Sequence, residues 1–228
     1  MKPRIENKSG FIGKVLGMIP AATIACGIGS ASAITIPAST QDETHASQTS
    51  EQHLVVAGGC FWGVQAVFQH LKGVKTAISG YAGGTADTAK YDVVSGGNTG
   101  HAEAVQITYD PSQITLGQIL QVFFSVAHNP TELNYQGPDH GTQYRSAIFF
   151  STPEQKVIAE KYIAQLDAAK VFDAPIATKL EPLTQFYPAE SYHQDYARLN
   201  PMNPYIMIND APKVRALKKE FPDWYVEK

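Results

Sequence analysis

The chain has few cysteines, no excess of basic residues and no sequence repeat, and each of these absences excludes a class of protein. Two cysteines among 228 residues exclude a disulfide scaffold and a zinc ribbon. The 18 Lys and Arg residues do not exceed the 21 Asp and Glu residues, which argues against a nucleic-acid-binding surface. Without a repeat, the chain is not a coiled-coil or collagen-like fibre. Its apolar fraction of 43% is typical of one folded domain.

Residues 1–33 contain the three parts of a secretory signal peptide. A basic start precedes an apolar run over residues 15–25, and small residues follow up to Ala31-Ser32-Ala33. The run is short and interrupted by Gly17 and Pro20, so we expect no stable membrane insertion. We predict export, to the periplasm, with cleavage at the end of this segment. A disordered tail or a weak membrane anchor is the alternative.

Cleavage would leave the mature chain with one thiol. It removes Cys26 and leaves Cys60. Cys26 follows the small residue Ala25 and is an alternative site for lipid attachment, although Thr23 stands where such signals usually carry Leu. A lone cysteine in an exported protein cannot form an internal disulfide, so Cys60 is either a leftover or a reactive group.

The remaining chain is predicted to form one α+β domain over residues 53–222. Residues 34–52 are mostly polar, which indicates a disordered linker, and residues 223–228 would be a tail. Periodicity predicts the order β-α-β-β-α-β-α-β, followed by a long irregular segment rich in proline. The predicted strands are 54–57, 74–81, 102–109, 144–150 and 176–181, with helices from Phe61, Leu116 and Pro153, short helices near Ala189 and Val214, and long loops over 80–100 and 128–143.

Cys60 is predicted to lie at a junction between a strand and a helix. It follows Gly58-Gly59 and immediately precedes the first helix, whose unpaired amides and dipole would favour an anion and lower the pKa of the thiol. A buried, inert cysteine is the alternative. The next two residues, Phe61 and Trp62, can line a small apolar pocket for a methyl group or thioether. Alternatively, Phe61 packs inward and Trp62 merely covers surface.

Glu103 is the second candidate residue. Strand alternation places it on the same side as Val105 and Ile107, which are expected to face the core. Burial raises the pKa of a carboxyl group, so Glu103 could act as a general acid near neutral pH. A one-residue slip in register would expose it instead. Three weaker candidates lie in or beside the long loops: Tyr91, Tyr144 and Asp139.

Several blocks of sequence, in the same order, resemble the A-type peptide methionine sulfoxide reductases. The blocks are Gly59-Cys60-Phe61-Trp62-Gly63, Ser79-Gly80-Tyr81-Ala82-Gly83-Gly84, Gly100-His101-Ala102-Glu103-Ala104-Val105, Gln136-Gly137-Pro138-Asp139-His140-Gly141-Thr142-Gln143-Tyr144-Arg145-Ser146, Phe186-Tyr187-Pro188-Ala189-Glu190 and Tyr192-His193-Gln194-Asp195-Tyr196. The likeness covers about residues 53–222, and a match of several blocks is far more specific than a lone glycine motif.

The resemblance implies a ferredoxin-like two-layer core and a defined chemistry. Cys60 would attack the sulfur of a methionine S-sulfoxide while Glu103 protonates the oxygen, leaving Cys60 as a sulfenic acid. The same resemblance implies that the oxygen is held by Tyr91 and Tyr144, the substrate is positioned by Asp139, and its methyl group is cradled by Phe61 and Trp62. It also implies that the substrates are oxidised proteins, that the enzyme uses no cofactor or metal, and that it is a monomer.

The sequence departs from the family in its recycling cysteines. Many relatives carry one or two near the C-terminus, whereas residues 221–228 contain none. Asn129 also stands where an acidic residue is common, and Tyr135 where arginine is common. The missing cysteines predict that Cys60 is reduced directly by an external thiol, either a thioredoxin-like protein or a small molecule.

Two other classes of function remain open on the sequence. A papain-like cysteine hydrolase could use Cys60 with His193, oriented by Asn200 or Asn203. Against this, Phe61 rather than Trp follows Cys60, and residues 54–59, just before it, contain no glutamine to form an oxyanion hole. A non-catalytic binding module is the third class, but the glycine-rich loop lacks phosphate-binding spacing and the histidines lack metal-ligand spacing.

Overall fold

A six-stranded sheet carries the helices in the computed structural model, which describes residues 36–48 and 50–228. The strands are β1 (Gln52–Gly58), β2 (Val74–Ala82), β3 (Ala102–Tyr109), β4 (Tyr135–Gln136), β5 (Asp139–His140), β6 (Ser146–Phe150), β7 (Lys179–Pro182) and β8 (Phe186–Pro188). The helices are α1 (Phe61–Gln69), α2 (Tyr91–Val94), α3 (Leu116–Val122), α4 (Pro153–Ala168), α5 (Tyr196–Leu199) and α6 (Ala211–Glu220). Single π-helical turns at Phe123–Ala127 and Ile206–Asp210 extend α3 and precede α6.

The strand order in the sheet is β7-β6-β1-β3-β2-β8. Strands β6 and β7 are parallel, and the other neighbouring pairs are antiparallel. Strands β4 and β5 form a separate hairpin. A mixed sheet with packed helices confirms the predicted α+β class, whereas the finer detail of a ferredoxin-like core stays a prediction.

Alternation along the central strand β3 separates the two faces of the sheet. Val105, Ile107 and Tyr109 point to the face on which the helices pack, and they share one apolar cluster with Phe61 and Phe68 of α1. The alternate residues Ala102 and Ala104 belong to a second cluster on the other face, where the side chains are mostly small. The period of two in the sequence therefore determines which side chains of β3 meet α1.

The predicted elements differ from the observed ones mainly outside the centre of the sheet. The strand expected at 144–150 begins at Ser146, because Thr142–Tyr144 forms a 3-10 turn. The last predicted strand is observed as Lys179–Pro182, and β8, which pairs with β2, was not predicted. The loop over 128–143 contains the short β4–β5 hairpin. Strands β4, β5, β7 and β8 are two to four residues long, too short to show a periodic pattern.

The prediction of a disordered linker is wrong for residues 36–46, which pack against α3 and α4. Ile36 is buried and its carbonyl oxygen accepts a hydrogen bond from Gln121, while the carbonyl of Pro37 accepts one from Tyr162. The carboxyl groups of Asp42 and Glu43 accept hydrogen bonds from amides at the start of α3. Polar side chains with such partners order a segment that has little apolar surface of its own.

The predicted tail is also paired with the domain. The amide of Val226 donates to the carbonyl of His70 at 2.8 Å, and the carbonyl of Trp224 accepts from the amide of Lys72 at 2.7 Å. The domain therefore extends past residue 222 to at least Val226. The predicted signal peptide, residues 1–33, lies outside the described residues. In the part of the chain that the structure describes, no helix combines the length and apolar character needed to cross a bilayer.

Candidate active site

The site is built at the N-terminal end of α1. Strand β1 ends at Gly58, and Cys60 is the N-cap residue of the helix that begins at Phe61. The side chain of Cys60 makes no capping hydrogen bond and is 8% exposed. The predicted junction of strand, two glycines, cysteine and helix is therefore observed, with the sulfur largely buried.

Burial reverses the expected ionisation of the thiol. Desolvation raises the pKa of Cys60 well above its ordinary value, and the charges of Glu103 and Asp210 act in the same direction. The amide of Trp62 and the ammonium group of Lys213 oppose this shift but do not outweigh it. The prediction that the helix N-terminus lowers the pKa is therefore wrong for the resting site, because removing the sulfur from water outweighs the helix dipole.

Glu103 lies on the buried face of β3, as strand alternation predicted. Its side chain is 3% exposed, and its Oε2 accepts a hydrogen bond of 3.1 Å from the amide of Phe61. Burial raises the pKa of Glu103 to about 8, although the Phe61 amide acts in the opposite direction. The register that pairs Glu103 with Tyr81 excludes the one-residue slip. The carboxyl group is thus mostly protonated at neutral pH, and it is hydrogen-bonded to the residue that follows Cys60.

Two of the predicted tyrosines lie close to this pair. Tyr91 begins α2, and its amide donates to Oε1 of Glu190 at 3.0 Å. Tyr144 ends the 3-10 turn that precedes β6. Burial raises the pKa of both phenols, and the nearby charges of Glu103 and Cys60 raise them further. Both phenols therefore stay protonated and can donate hydrogen bonds.

A small cavity of about 80 Å³ opens beside Cys60. The lining residues are Cys60, Gln136, Gly137, Pro138, Asp139, Tyr205, Asn209 and Lys213. The carboxylate of Asp139, at the start of β5, accepts a hydrogen bond from the hydroxyl of Tyr205. The structure therefore brings Asp139 to Cys60, as predicted, and adds Tyr205 and Lys213, which sequence reasoning missed.

The two aromatic residues after Cys60 have different surroundings. Phe61 is fully buried, with its ring centroid 5.0 Å from that of His193. Trp62 is half-buried and stacks on Tyr196 at a centroid distance of 3.9 Å, and its indole N–H donates to Nδ1 of His193 at 3.1 Å. Trp62 also meets the edge of the Tyr205 ring, at a centroid distance of 6.0 Å. Phe61 thus belongs to the core, and Trp62 belongs to an aromatic cluster beside the cavity.

His193 is not arranged as the base of a cysteine hydrolase. Its Nδ1 accepts the indole proton of Trp62, and its buried Nε2 has no hydrogen-bond partner within the described chain. Neither ring nitrogen is therefore hydrogen-bonded to the sulfur of Cys60, as a papain-like pair requires. Within residues 36–48 and 50–228, no group of three His, Cys, Asp or Glu side chains could hold a metal ion.

Comparison with known proteins identifies a family. The model of the family described as peptide methionine sulfoxide reductase matches residues 52–225. A peptide methionine sulfoxide reductase MsrA 2 of Mesorhizobium japonicum is 63% identical over 174 residues, which cover 76% of this chain and 89% of the relative. Another MsrA 2, of Synechocystis sp., is 52% identical over 169 residues, which cover 74% of this chain and 79% of the relative.

Solved structures give the same result. The crystal structure of reduced Mxr1 from Saccharomyces cerevisiae matches with a TM-score of 0.61 and 32% identity, covering 72% of this chain and 92% of that one. Methionine sulfoxide reductase A of Corynebacterium diphtheriae matches with a TM-score of 0.58 and 34% identity, covering 69% and 78%. The family match over residues 52–225 includes Cys60 and Glu103.

Proposed function

Since the chain belongs to the peptide methionine sulfoxide reductase family, we propose that it reduces methionine sulfoxide in oxidised proteins back to methionine. One observation carries the proposal for the site: the buried carboxyl group of Glu103 is hydrogen-bonded to the amide next to Cys60, at 3.1 Å. A neutral proton donor thus lies beside the only thiol of the described chain. A sulfoxide needs this pair, because its oxygen must be protonated as its sulfur is attacked.

The resting site holds both protons, since burial raises the pKa of the thiol and of the carboxyl group. Glu103 donates its proton to the sulfoxide oxygen while Cys60 attacks the sulfoxide sulfur, and the new carboxylate accepts the thiol proton. The methionine sulfur is reduced by two electrons, and Cys60 is oxidised by two electrons to a sulfenic acid that keeps the oxygen. The number of protons is unchanged, so the site requires no free thiolate before substrate binds.

The neutral phenols of Tyr91 and Tyr144 are proposed to hold the sulfoxide oxygen. Both are half-buried and close enough to Cys60 and Glu103 to be affected by their charges. A phenol donates a hydrogen bond without adding a charge, so it would not compete with Glu103 for the proton. Asp139, which lines the cavity, is proposed to position the substrate. Trp62, whose ring meets that of the cavity residue Tyr205, is proposed to take the methyl group, with the buried Phe61 packed behind it. The S epimer is proposed because the sequence resembles the A-type reductases, which act on that epimer.

An external thiol is proposed to regenerate Cys60. After removal of residues 1–33 no second cysteine remains in the chain, so no internal disulfide can form. The sulfenic acid then waits for a thioredoxin-like protein or a small thiol. Without reductant, the mature enzyme should release about one methionine per chain and keep a sulfenic acid. Detection of an intramolecular disulfide would contradict this step.

The decisive test compares reduction of peptides that carry each sulfoxide epimer. Wild type should reduce the S epimer with a thiol present, Cys60→Ser should fall to background, and Cys26→Ser in the full-length chain should match wild type. An unoxidised peptide, incubated in parallel, should stay intact, whereas a hydrolase would cleave it. Turnover by Cys60→Ser, or equal rates for both epimers, would overturn the mechanism or the specificity.

Export to the periplasm is proposed for the mature enzyme. The basic start, apolar run and small residues before residue 34 support it, as does a family match that begins only at residue 52. Fractionation of a Gram-negative host and N-terminal sequencing should find a periplasmic chain that starts at Ile34. A chain that starts at Cys26 would instead indicate lipid attachment, and an intact N-terminus in the cytoplasm would contradict export.

A further inference from the structure

Asp210 is a buried acid that the proposed mechanism does not use. It ends the π-helical turn before α6 and is fully buried. Neither of its carboxylate oxygens has a hydrogen-bond partner within the described chain. Its one compensating charge there is the ammonium group of Lys213, one turn along α6, at 3.6 Å. Burial raises the pKa of Asp210 to about 6, and Lys213 opposes that shift, so the Asp210 carboxyl group is mostly ionised at neutral pH.

The pair lies directly on the first turn of α1. Gly63, three residues after Cys60, is the position where the two helices meet. A Cβ atom at Gly63 would overlap the carboxylate of Asp210 and would lie 3.0 Å from Nζ of Lys213. Only glycine leaves room for the pair, which gives the last residue of the Gly59-Cys60-Phe61-Trp62-Gly63 block a physical role. Lys213 also lines the cavity beside Cys60.

We propose that Lys213, held in place by Asp210 over Gly63, is a positioning residue whose ammonium group stabilises the anionic sulfur of Cys60 while an external thiol regenerates the enzyme. This inference rests on the proposed function. Once residues 1–33 are removed, Cys60 is the single cysteine, so every turnover ends with Cys60 leaving a disulfide formed with another molecule.

The regeneration steps show where the cation acts. The first thiol, RSH, attacks the Cys60 sulfenic acid, giving the mixed disulfide Cys60–S–S–R and water. A second thiolate then attacks the sulfur of R, an R–S–S–R disulfide forms, and Cys60 leaves as a thiolate. Exchange is faster when the leaving thiol has a lower pKa, so a cation beside Cys60 accelerates this last step.

The charge balance around Cys60 predicts opposite effects for the two partners. The groups that face Cys60 or this pair are Glu103 of β3, Tyr91 of α2, Asp139 of β5, Tyr144, Tyr205, the buried His128, and Asp210 and Lys213. Of these, Lys213 lowers the pKa of the thiol, whereas Asp210 and Glu103 raise it. Losing the cation should therefore disfavour the thiolate, and neutralising Asp210 should favour it.

Alkylation of Cys60 by iodoacetamide as a function of pH tests these opposite effects without any sulfoxide. Peptide mass spectrometry separates Cys60 from Cys26 in the full chain. In Lys213→Met the midpoint of alkylation should move to higher pH by about one unit, and in Asp210→Asn it should move to lower pH. The control Lys219→Met removes an exposed cation from the same helix and should match wild type.

Lys213→Met leaves a buried carboxylate without its cation and could fail to fold, so the double variant Asp210→Asn/Lys213→Met is measured beside it. The double variant should have its midpoint above that of Asp210→Asn alone. Unmoved midpoints in folded Asp210→Asn and in the double variant would overturn the inference, because a purely structural pair could change stability but not the ionisation of Cys60.

Regeneration is measured separately, by oxidising the enzyme with one equivalent of sulfoxide and following its reduction by dithiothreitol. Folded variants that lack Lys213 should regenerate several-fold more slowly than Lys219→Met, while methionine release in the first turnover changes less. Equal regeneration rates would contradict the inference. Failure of wild type to reduce any sulfoxide would contradict the proposed function, and it would be seen before any variant is compared.

Discussion

Helices α1 and α3 begin in the same way and differ in what surrounds the first turn. In α1 the amide of Phe61 donates to Glu103, and in α3 the amide of Leu116 donates to Glu43 at 2.7 Å. Each helix also has a glycine in its first turn with an aspartate carboxyl group lying over it. The pairs are Gly63 with Asp210 and Gly117 with Asp42.

The difference lies in access to water and in hydrogen bonding. Asp42 is exposed, and its carboxylate accepts hydrogen bonds from the amide of Gly117 at 2.7 Å and from the hydroxyl of Thr115. Asp210 and Glu103 are buried, and Glu103 keeps its proton at neutral pH. A hydrated anion at a helix N-terminus stabilises the helix. A buried, protonated acid such as Glu103 costs stability and supplies a proton donor. Burial of the acid is therefore the difference between the start of α3, which is a stabilising cap, and the start of α1, which is a reactive site.

The largest expected effect is that of Glu103→Gln, which keeps the shape of the acid and removes its proton. Sulfoxide reduction should fall by about 10²–10⁴-fold, the usual contribution of a general acid. In wild type, kcat/KM should fall as the pH rises through about 8, where Glu103 loses its proton. The matched variant at α3, Glu43→Gln, should keep the wild-type rate and the same pH profile. An unchanged rate in Glu103→Gln would remove Glu103 from the mechanism.

The same variant should gain stability as its activity is lost. Unfolded Glu103 ionises near 4.5, whereas the folded residue holds its proton to about 8. Between these values the unfolded state is favoured as pH rises, so wild type should lose about 3 kcal/mol relative to Glu103→Gln between pH 4.5 and pH 7. Urea unfolding of both proteins at the two pH values measures this difference. Parallel pH dependences would show that Glu103 is charged and hydrated.

The next effect comes from adding one methyl group to each helix start. In Gly117→Ala the new Cβ would lie 2.5 Å from the carboxyl carbon of Asp42, which is exposed and can move into water. The better helix propensity of Ala, about 1 kcal/mol, should offset that movement. In Gly63→Ala the buried Asp210 has nowhere to move, so we expect a loss of about 1–3 kcal/mol. Thermal unfolding and initial rates should separate the two variants, with activity reduced only in Gly63→Ala. Equal losses of stability and activity in the two variants would show that the starts of α1 and α3 do not differ in this way.

Local sequence patterns predicted the catalytic residues at the start of α1 well. Two glycines before a helix located Cys60, and alternation in β3 located Glu103 on the buried face. The ionisation of Cys60 was predicted with the wrong sign, because the helix dipole can be inferred from the junction but the burial of the sulfur cannot. Asp210 and Lys213 carry no local signal, since they reach Gly63 only through the packing of α6 on α1.

The carboxylates that cap α3 were not predicted, for a related reason. Residues 39–52 have the composition of a flexible linker, and nothing in that composition shows that Asp42 and Glu43 meet the free amides of α3. The partner of a helix N-terminus is usually sought within a few residues of the helix. Here the carboxylates come from a segment that precedes β1, so only the folded chain shows the contact.

The smallest expected effect is that of Thr115→Ala at the start of α3. The hydroxyl of Thr115 accepts a hydrogen bond from the amide of Gln118 at 3.3 Å and donates one to Asp42. In return, Oε1 of Gln118 accepts a hydrogen bond from the amide of Thr115 at 2.9 Å. Loss of such a cap costs about 1 kcal/mol, and Thr115→Ser should restore most of it. Urea unfolding should show this loss with kcat/KM unchanged, since no group at this end of α3 reaches the cavity beside Cys60. A fall in kcat/KM would mean that the two helix ends are coupled through the sheet, and the division between a stabilising end and a reactive end would fail.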